Sequence, residues 1–475
     1  TTGDENVAIG RKALTDLNTG EGNVAIGMEA AEDNTTGSQN IAIGKQAATK
    51  TCNNSVAVGF QTLRNNTGTG NIAIGKETAK SNTSGTRIIA IGTEAYDAAD
   101  TENDNLAIGE AALGGSVAGG EYNVAVGNYT LDGLTSSDNN VAVGHEAGTD
   151  ITTGDNSVYV GYHAGYNATT ASANVFVGME AAGLGIVTGG TNTAVGTQTL
   201  YDLTAGTNNI CMGYRAGYDI TNGSRNTALG VFSLYVPDTE NDNLGIGYQA
   251  LAGSIAGAEF NVAIGNYTLD AITSGDENVC VGYNVASGLT SGSDNTCIGA
   301  GAGANLSSGS SNVFIGKNAG TNASPFGALS DHSNHMVLGH NNITNVGIKV
   351  ALTVTSDGRD KTDIEPFKMG LDFINQLKPV TYRWDMRCNY ADKTPDGTHK
   401  KPELSAGLIA QDVEKLEREY GYKVEDKTSV LTYVSSDGDY SLTYEKFIPV
   451  LINSVQEMSS EITSLKQQIE ILKGE

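Results

Sequence analysis

The chain has 475 residues, 61 of them glycine, and its 54 acidic residues outnumber 28 basic ones, which gives a formal net charge of −26 at pH 7. This acidity repels nucleic acid and anionic membrane surfaces, so we expect no nucleic-acid partner. The cysteines are odd in number and scattered, which indicates neither a disulfide framework nor a zinc site, and we predict no metal and no cofactor. They are Cys52, Cys211, Cys280, Cys297 and Cys388.

Composition divides the chain into two parts. Residues 1–340 hold 53 of the 61 glycines and 32 acidic against 11 basic residues, whereas five of the seven prolines lie after residue 365. We therefore predict a repetitive domain over 1–340, a junction over 341–356 and a second domain over 357–475. Since the sequence begins with Thr1, we also expect an N-terminal anchoring region beyond it.

A short motif, Asn-Val-Ala-Ile-Gly in its first copies, repeats throughout the first part. The spacing of its glycine is 15 to 18 residues, and mostly 17, from Gly10 to Gly316, with a looser copy ending at Gly339. A fixed short period is the signature of a solenoid. Each unit holds one β-branched run between turn residues, which predicts a parallel β-roll or β-helix with coils of about 17 residues. Twenty stacked coils would extend about 95 Å.

Strand alternation places Val7 and Ile9 on one face and Ala8 on the other. The central residue is Ala in twelve of the twenty copies. We expect Val and Ile to fill the coil interior, and the small residue to meet a second copy of the chain outside. Cys280 and Cys297 occupy this central position in neighbouring coils, where two stacked small residues are favoured over a disulfide.

Asparagine precedes the strand in sixteen of the twenty copies, which predicts an asparagine ladder at one corner of the coils. The whole pattern, over about residues 1–320, resembles the left-handed parallel β-roll head of trimeric autotransporter adhesins. Its strand motif also runs Asn-x-Val-Ala-Ile-Gly, and the resemblance implies a homotrimer.

The second part predicts a small α+β domain. We expect strands over 345–354, a helix over 367–377, a strand over 380–384, a loop over 388–402, a helix over 404–420 and a final helix. In the final helix, apolar residues recur at spacings of three and four over 448–472, the a/d seam of a coiled coil. In parallel coiled coils, β-branched residues at a combined with Leu or Met at d, as here, favour an assembly of two helices.

Three motifs follow one another in this domain: Ser356-Asp357-Gly358-Arg359-Asp360-Lys361, Ile-x-x-Leu-Lys-Pro-Val-x-Tyr from Ile374, and Gly-Leu-Ile-Ala-Gln-Asp-Val-Glu from Gly407. Together they resemble the intramolecular chaperone domain of bacteriophage tail spikes and tail fibres, the self-cleaving module of endosialidase type, over about residues 350–475. This resemblance implies three chains in the coiled coil, and we adopt three because one fibre would share one threefold axis.

The resemblance also implies a reaction. The chain would be cut between Ser356 and Asp357, with Ser356 as nucleophile on its own peptide and Lys361 as general base. A lysine removes the serine proton only when neutral, which requires its usual pKa near 10.4 to be lowered by burial or by nearby positive charge. Arg359 is the candidate for that charge. We expect this self-cleavage to be the chain's only enzymatic activity, with no external substrate.

The sequence thus predicts a bacteriophage tail fibre: a homotrimeric, mainly β shaft that binds a host-cell receptor, either polysaccharide or protein, and a C-terminal chaperone that drives trimerisation and is then cut off. It would be made in the host cytoplasm, reside in the virion, and join other tail proteins through its N-terminal region. The alternatives are a bacterial trimeric adhesin head and a polysaccharide-degrading tail spike.

Overall fold

A computed structural model describes residues 3–324, 328–343, 346–347, 349, 355–387, 390, 392–434 and 438–474. The chain divides into two compact units. Unit 1 comprises Thr1–Thr321 with Ala328–His340, and unit 2 comprises Asn322–Gly327 with Asn341–Glu475.

Unit 1 is a parallel β-solenoid with one three-residue strand in each coil, as predicted. Every strand pairs in parallel with the next along the chain, so that Val7 lies opposite Val24 and Val313 opposite Met336. The strands β1 to β20 are Val7–Ile9, Val24–Ile26, Ile41–Ile43, Val56–Val58, Ile72–Ile74, Ile89–Ile91, Leu106–Ile108, Val124–Val126, Val141–Val143, Val158–Val160, Val175–Val177, Thr193–Val195, Ile210–Met212, Thr227–Leu229, Leu244–Ile246, Val262–Ile264, Val279–Val281, Thr296–Ile298, Val313–Ile315 and Met336–Leu338.

The predicted orientation of these strands is wrong. The central residue points into the coil, and Ala125 and Ala142 are fully buried, while the flanking Val and Ile residues face outward and are partly or largely exposed. The reason is the narrow coil. The turn after each strand also sends residues inward, for example Leu131 and Leu134, and these leave room beside them for only a small central side chain.

Where the central residue of a coil is large, glycine in a neighbouring turn leaves room for its side chain. Tyr159 and Phe314 are fully buried, and a Cβ at Gly148 would lie 3.3 Å from the Tyr159 ring. A Cβ at Gly320 would lie 2.6 Å from the Phe314 ring, inside contact distance. The turn position that holds Leu131 in a coil with a central alanine is therefore held by glycine where it lies beside an aromatic ring. The smaller turn residue compensates for the larger ring, so the interior volume of the coil is conserved.

The glycine that ends each strand is required by the stacking of the coils. Gly10 has φ 126°, and a Cβ there would lie 2.6 Å from the carbonyl oxygen of Gly27 in the next coil. Any side chain at this position would force neighbouring coils apart, which explains why the motif ends in glycine in every coil.

The predicted asparagine ladder is confirmed. The Asn209 amide donates to Gly223 O at 2.8 Å, and its oxygen accepts the backbone N–H of Asn226, the next rung, at 3.0 Å. The left-handed backbone lies one residue earlier, as at Asn208 with φ 59°. The ladder residue itself is buried, and it takes part through both its side chain and its backbone N–H.

We expect Asn209→Ala to destabilise unit 1, because each buried donor or acceptor left without a partner costs about 1–3 kcal/mol. Urea unfolding followed by circular dichroism measures the change. Asn222→Ala, at an exposed turn of a neighbouring coil, is the matched control and should change stability by less than about 0.5 kcal/mol. If the two variants were equally stable, the hydrogen bonds of the asparagine ladder would not contribute to the stability of unit 1.

A larger duplication, in which Asp100-Thr101-Glu102-Asn103-Asp104 returns 138 residues later as Asp238-Thr239-Glu240-Asn241-Asp242, is reproduced in the contacts. Arg87 pairs through two hydrogen bonds with Asp104, and Arg225, 138 residues later in the sequence, pairs in the same way with Asp242. A solenoid coil contacts only its neighbours, so a block of coils can be copied with its contacts intact.

The central cysteines Cys280 and Cys297 lie opposite each other in β17 and β18 and are free thiols, fully buried. The Cys297 thiol and burial raise the pKa of Cys280 well above its usual value. The stacked small residues predicted for this position are therefore present as a thiol pair. Cys388 lies outside the described residues.

Unit 2 is a small α+β domain with shorter elements than predicted. The helices are α1, Leu371–Gln376; α2, Ala410–Glu419; and α3, Phe447–Lys473, and the strands are β21, Val380–Tyr382; β22, Ser405–Gly407; β23, Thr432–Val434; and β24, Tyr440–Leu442. The helix expected over 404–420 begins only at Ala410, because residues 405–407 pair as an antiparallel strand with β21. The strands expected over 345–354 lie largely outside the described residues, as does part of the loop expected over 388–402.

The core of unit 2 is formed by residues from all three helices. Phe373 of α1 packs with Val413 and Leu416 of α2 and with Phe447 and Val450 of α3. Within the described residues, none of the helices combines the length and the apolar character that crossing a bilayer demands.

Candidate autoproteolytic site

The Ser-Asp-Gly-Arg-Asp-Lys motif folds as a tight turn at the surface of unit 2. Residues Gly358–Asp360 form one turn of 3-10 helix, and Asp357 caps it by accepting the backbone N–H of Arg359 at 2.9 Å. The backbone N–H of Lys361 closes the turn on Gly358 O. Aspartate is a favoured capping residue, and the glycine adds no side chain to the turn. The six-residue motif therefore forms one closed turn between extended residues at Asp357 and Lys361.

This turn brings the two proposed catalytic side chains together. Lys361 Nζ lies 2.5 Å from Ser356 Oγ and 3.4 Å from the carbonyl oxygen of the same serine. That carbonyl belongs to the peptide bond between Ser356 and Asp357. A hydroxyl in direct contact with an amine is the nucleophile and base arrangement of a Ser–Lys dyad. Both side chains are exposed in the single chain.

Arg359 faces the residue after the bond, not the lysine. Its guanidinium forms an ion pair with the Asp357 carboxylate, with Nη2 at 2.6 Å from Oδ2. The hydrogen bonds from Arg359 lower the pKa of Asp357, and the same contact raises the pKa of Arg359. The positive charge predicted to act on Lys361 is thus compensated locally, and Arg359 fixes the turn at Asp357.

The other two motifs form a framework of paired strands and helix ends elsewhere in unit 2. The second motif supplies the end of α1 and the whole of β21, and the third supplies the end of β22 and the start of α2, with Val380 opposite Gly407. The hydroxyl of Tyr444 accepts the backbone N–H of Leu408 at 3.0 Å. A Cβ at Gly407 would lie 2.6 Å from this hydroxyl, so the close approach requires glycine.

A buried glutamate missed by the sequence analysis holds this framework together. Glu417 of α2 is fully buried, and its carboxylate accepts the backbone N–H groups of Val430, Leu431 and Thr432 at 2.9, 2.7 and 3.1 Å. The hydroxyl of Ser429 donates to it as well, at 3.0 Å. The pattern that could have found it is the helix itself, because Glu417 follows Val413 and Leu416 on the apolar face of α2.

We expect Glu417→Ala to destabilise unit 2 by at least about 3 kcal/mol, because several backbone donors lose their acceptor at once. The single tryptophan of the chain, Trp384, lies in unit 2, so its fluorescence during urea unfolding follows this unit alone. Glu419→Ala removes an exposed carboxylate from the same helix and should be nearly neutral. If Glu417→Ala unfolded at the same urea concentration as the wild type, the carboxylate would not hold the framework.

The predicted seam of α3 is exposed along the single chain. Ile448, Val455, Ile462 and Leu465 are each more than half exposed, although all are apolar. The helix thus presents a continuous apolar stripe that nothing in its own chain covers among the described residues.

Together, these features define a class of protein: a parallel β-solenoid followed by a small α+β domain in which a serine hydroxyl contacts a lysine amine near the start of the domain. Comparison with known families agrees for the second unit. Residues 356–422, which contain the dyad and all three motifs, match the peptidase S74 family, described as chaperone of endosialidase. No curated protein and no solved structure matches the chain.

Proposed function

We propose that the chain is the subunit of a homotrimeric bacteriophage tail fibre or tail spike, whose C-terminal unit aligns three chains and then cuts itself off. The observation that carries the proposal is the contact between Lys361 Nζ and Ser356 Oγ inside a segment that matches the chaperone of endosialidase family. Such a fibre works outside the host cell as part of the virion and attaches it to a host receptor.

The chemistry requires no external substrate. Neutral Lys361 takes the proton of Ser356, Oγ attacks the carbonyl carbon of the Ser356–Asp357 bond, and the amide nitrogen leaves as the new N-terminal amine of Asp357 after protonation. Because the serine acylates its own hydroxyl, the resulting ester is the four-membered lactone of Ser356, and water then opens it, so that the net reaction is hydrolysis of one peptide bond. Both side chains are exposed in the single chain, and a neighbouring copy is the proposed source of the burial that favours a neutral lysine.

Trimer formation is supported by the outward face of the solenoid. The interior of each coil is already filled, yet the residues that flank the centre leave a stripe of Val, Ile, Leu and Met on the outside of twenty strands, interrupted only by Thr193, Thr227 and Thr296. At about 4.8 Å per strand, this stripe is about 90 Å long. A soluble monomer rarely exposes so large an apolar surface, and two further copies of the same stripe would cover it.

The assembly state tests this proposal. We expect the wild-type protein to sediment at three times the chain mass of 49.2 kDa, or at three times the mass of the solenoid after cleavage. Ile72→Asp/Ile89→Asp places two charges in the stripe and should convert the solenoid to monomers. Thr36→Asp/Ser84→Asp, at exposed turns, carries the same charge and should remain trimeric. A monomeric wild type would refute the trimer.

For receptor binding, the observation is a run of aromatic rings from Tyr201 to Tyr283. Tyr201 stacks on Tyr218, and the rings of Tyr248 and Tyr267 and of Tyr267 and Tyr283 meet edge to face. Exposed rings offer rigid apolar faces of the kind that sugar rings cover. Because the chain is strongly acidic, we expect a neutral glycan in preference to a polyanionic one.

An array of neutral and sialylated oligosaccharides tests this surface. Tyr248→Ala/Tyr283→Ala should lose the neutral glycans that the wild type binds, whereas Tyr122→Ala, at an exposed ring outside the run, should retain them. Binding unchanged in the double variant would exclude the aromatic run as the receptor surface. Release of sugars from a host polysaccharide would instead favour the polysaccharide-degrading tail spike.

A further inference from the structure

The solenoid brings together two histidines and a glutamate that are dispersed in the sequence. His145 and Glu146 directly follow the strand glycine of one coil, and His163 occupies the position of Glu146 in the next coil, 17 residues later. Glu146 and His163 share the same left-handed backbone, with φ 53° and 54°, so that the two side chains leave the solenoid side by side.

The ligating atoms of these three residues converge at the surface. All three lie within 4.8 Å of one another. His163 Nε2 is 2.5 Å from one oxygen of Glu146, and His145 Nδ1 is 3.8 Å from the other. The side chains are 47%, 26% and 25% exposed for His145, Glu146 and His163, so an ion can enter directly from solvent.

Aromatic rings hold the imidazoles in place. The ring of Tyr162 stacks on His163 with centroids 3.8 Å apart and on His145 at 5.7 Å, and Tyr166 covers His163 at 4.7 Å. Rings fixed in this way lose little further freedom when their nitrogens bind an ion, which favours binding.

From this geometry we infer that His145, Glu146 and His163 form a binding site for a divalent transition-metal ion of the Zn²⁺ class. Two imidazoles and one carboxylate are a ligand set that such ions prefer over Ca²⁺ or Mg²⁺, and three protein ligands leave one position open to solvent. Metal bonds of about 2.0–2.1 Å in tetrahedral geometry require ligand atoms about 3.3 Å apart, so Glu146 and His163 separate slightly as the ion enters. The ion would link two adjacent coils.

In two other coils the position of His163 is occupied by a glutamine that pairs with a glutamate, which shows the contact made at this position when no metal is involved. Gln46 donates to Glu29 at 2.8 Å, and Gln198 donates to Glu180 at 2.7 Å, each across one coil. An amide thus suffices to pair the glutamate. Imidazole at 163, with a second imidazole at 145, adds metal-binding capacity that this pairing does not need. No metal site was predicted from the sequence, because these three residues become neighbours only when the 17-residue period is applied.

The test is a titration of the full-length protein with Zn²⁺ by isothermal calorimetry in a buffer that does not bind metal, with Co²⁺ absorption as a second readout. We expect His163→Gln, which restores the amide pairing found at Gln46, to fold normally, to bind one ion fewer per chain than the wild type, and to lose the visible absorption of tetrahedral Co²⁺. His145→Gln should weaken binding at least about tenfold.

His399→Ala, at an exposed histidine of unit 2, is the control and should bind as the wild type does. Stoichiometry and affinity that are the same in His163→Gln and in the wild type would overturn the assignment, as would the absence of any Zn²⁺ binding by the wild type. Neither outcome bears on the Ser356–Lys361 reaction, which is measured separately.

Discussion

Ser356→Ala is expected to leave the chain intact where the wild type is cut. Intact-mass analysis of freshly expressed wild type should show two products, residues 1–356 and residues 357–475, and the variant should show one species of full length. Loss of an essential nucleophile typically slows such a reaction by at least about 10³-fold. Lys361→Met should have a similar effect, because it removes the amine that lies 2.5 Å from the serine hydroxyl.

Matched controls separate chemistry from folding. Thr355→Ala removes the hydroxyl that precedes the serine, and Lys368→Ala removes an exposed lysine nearby; both should be cut at the wild-type site. If Ser356→Ala were cut at the normal rate, the assignment of the nucleophile would be wrong. Hydroxylamine added during the reaction traps an ester, so a hydroxamate in place of the carboxylate at Ser356 would demonstrate that the serine oxygen carries the acyl group.

The sequence predicted the solenoid well because its constraints are local and repeated. The strand glycine, the small centre and the asparagine each recur with the same period, and each performs one steric or hydrogen-bonding task in every coil. The orientation of the strand was wrong for a related reason. Alternation distinguishes the two faces of Val7-Ala8-Ile9, but which face is interior depends on residues such as Leu131 that reach inward from the turn.

The pairing of Ser356 with Lys361 was proposed from a family resemblance carried by three motifs, and the structure places Nζ and Oγ in contact because a tight turn determines the distance between its ends. The surroundings of this pair were not predicted, because they depend on contacts far apart in the sequence. Glu417 binds residues 13 to 15 positions later, and the Leu371 backbone N–H donates to Glu457 of α3 at 2.6 Å, 86 residues away. The role of Arg359 also required the structure, since the choice between Asp357 and Lys361 as its neighbour depends on the fold of the turn.

Charges placed in the α3 seam are expected to abolish both assembly and cleavage. In Ile462→Asp/Ile469→Asp, two residues that are about half exposed in the single chain become carboxylates where three helices would meet. Each buried ion without a partner costs several kcal/mol, so the coiled coil should not form. If a neighbouring copy supplies the desolvation that makes Lys361 neutral, the monomeric variant should remain uncut although its dyad is unaltered.

Ser460→Asp/Gln467→Asp adds the same charge to the same helix outside the predicted seam, and it should assemble and be cut as the wild type is. Sedimentation and intact mass, measured on one preparation of each variant, distinguish the possible arrangements. A seam variant that is monomeric and uncut places the reaction after assembly, so that the solenoid loses its chaperone only when three chains are already aligned and cannot easily dissociate. A monomeric variant that is cut at the wild-type rate would mean that the turn over 356–361 is a complete catalytic site within one chain.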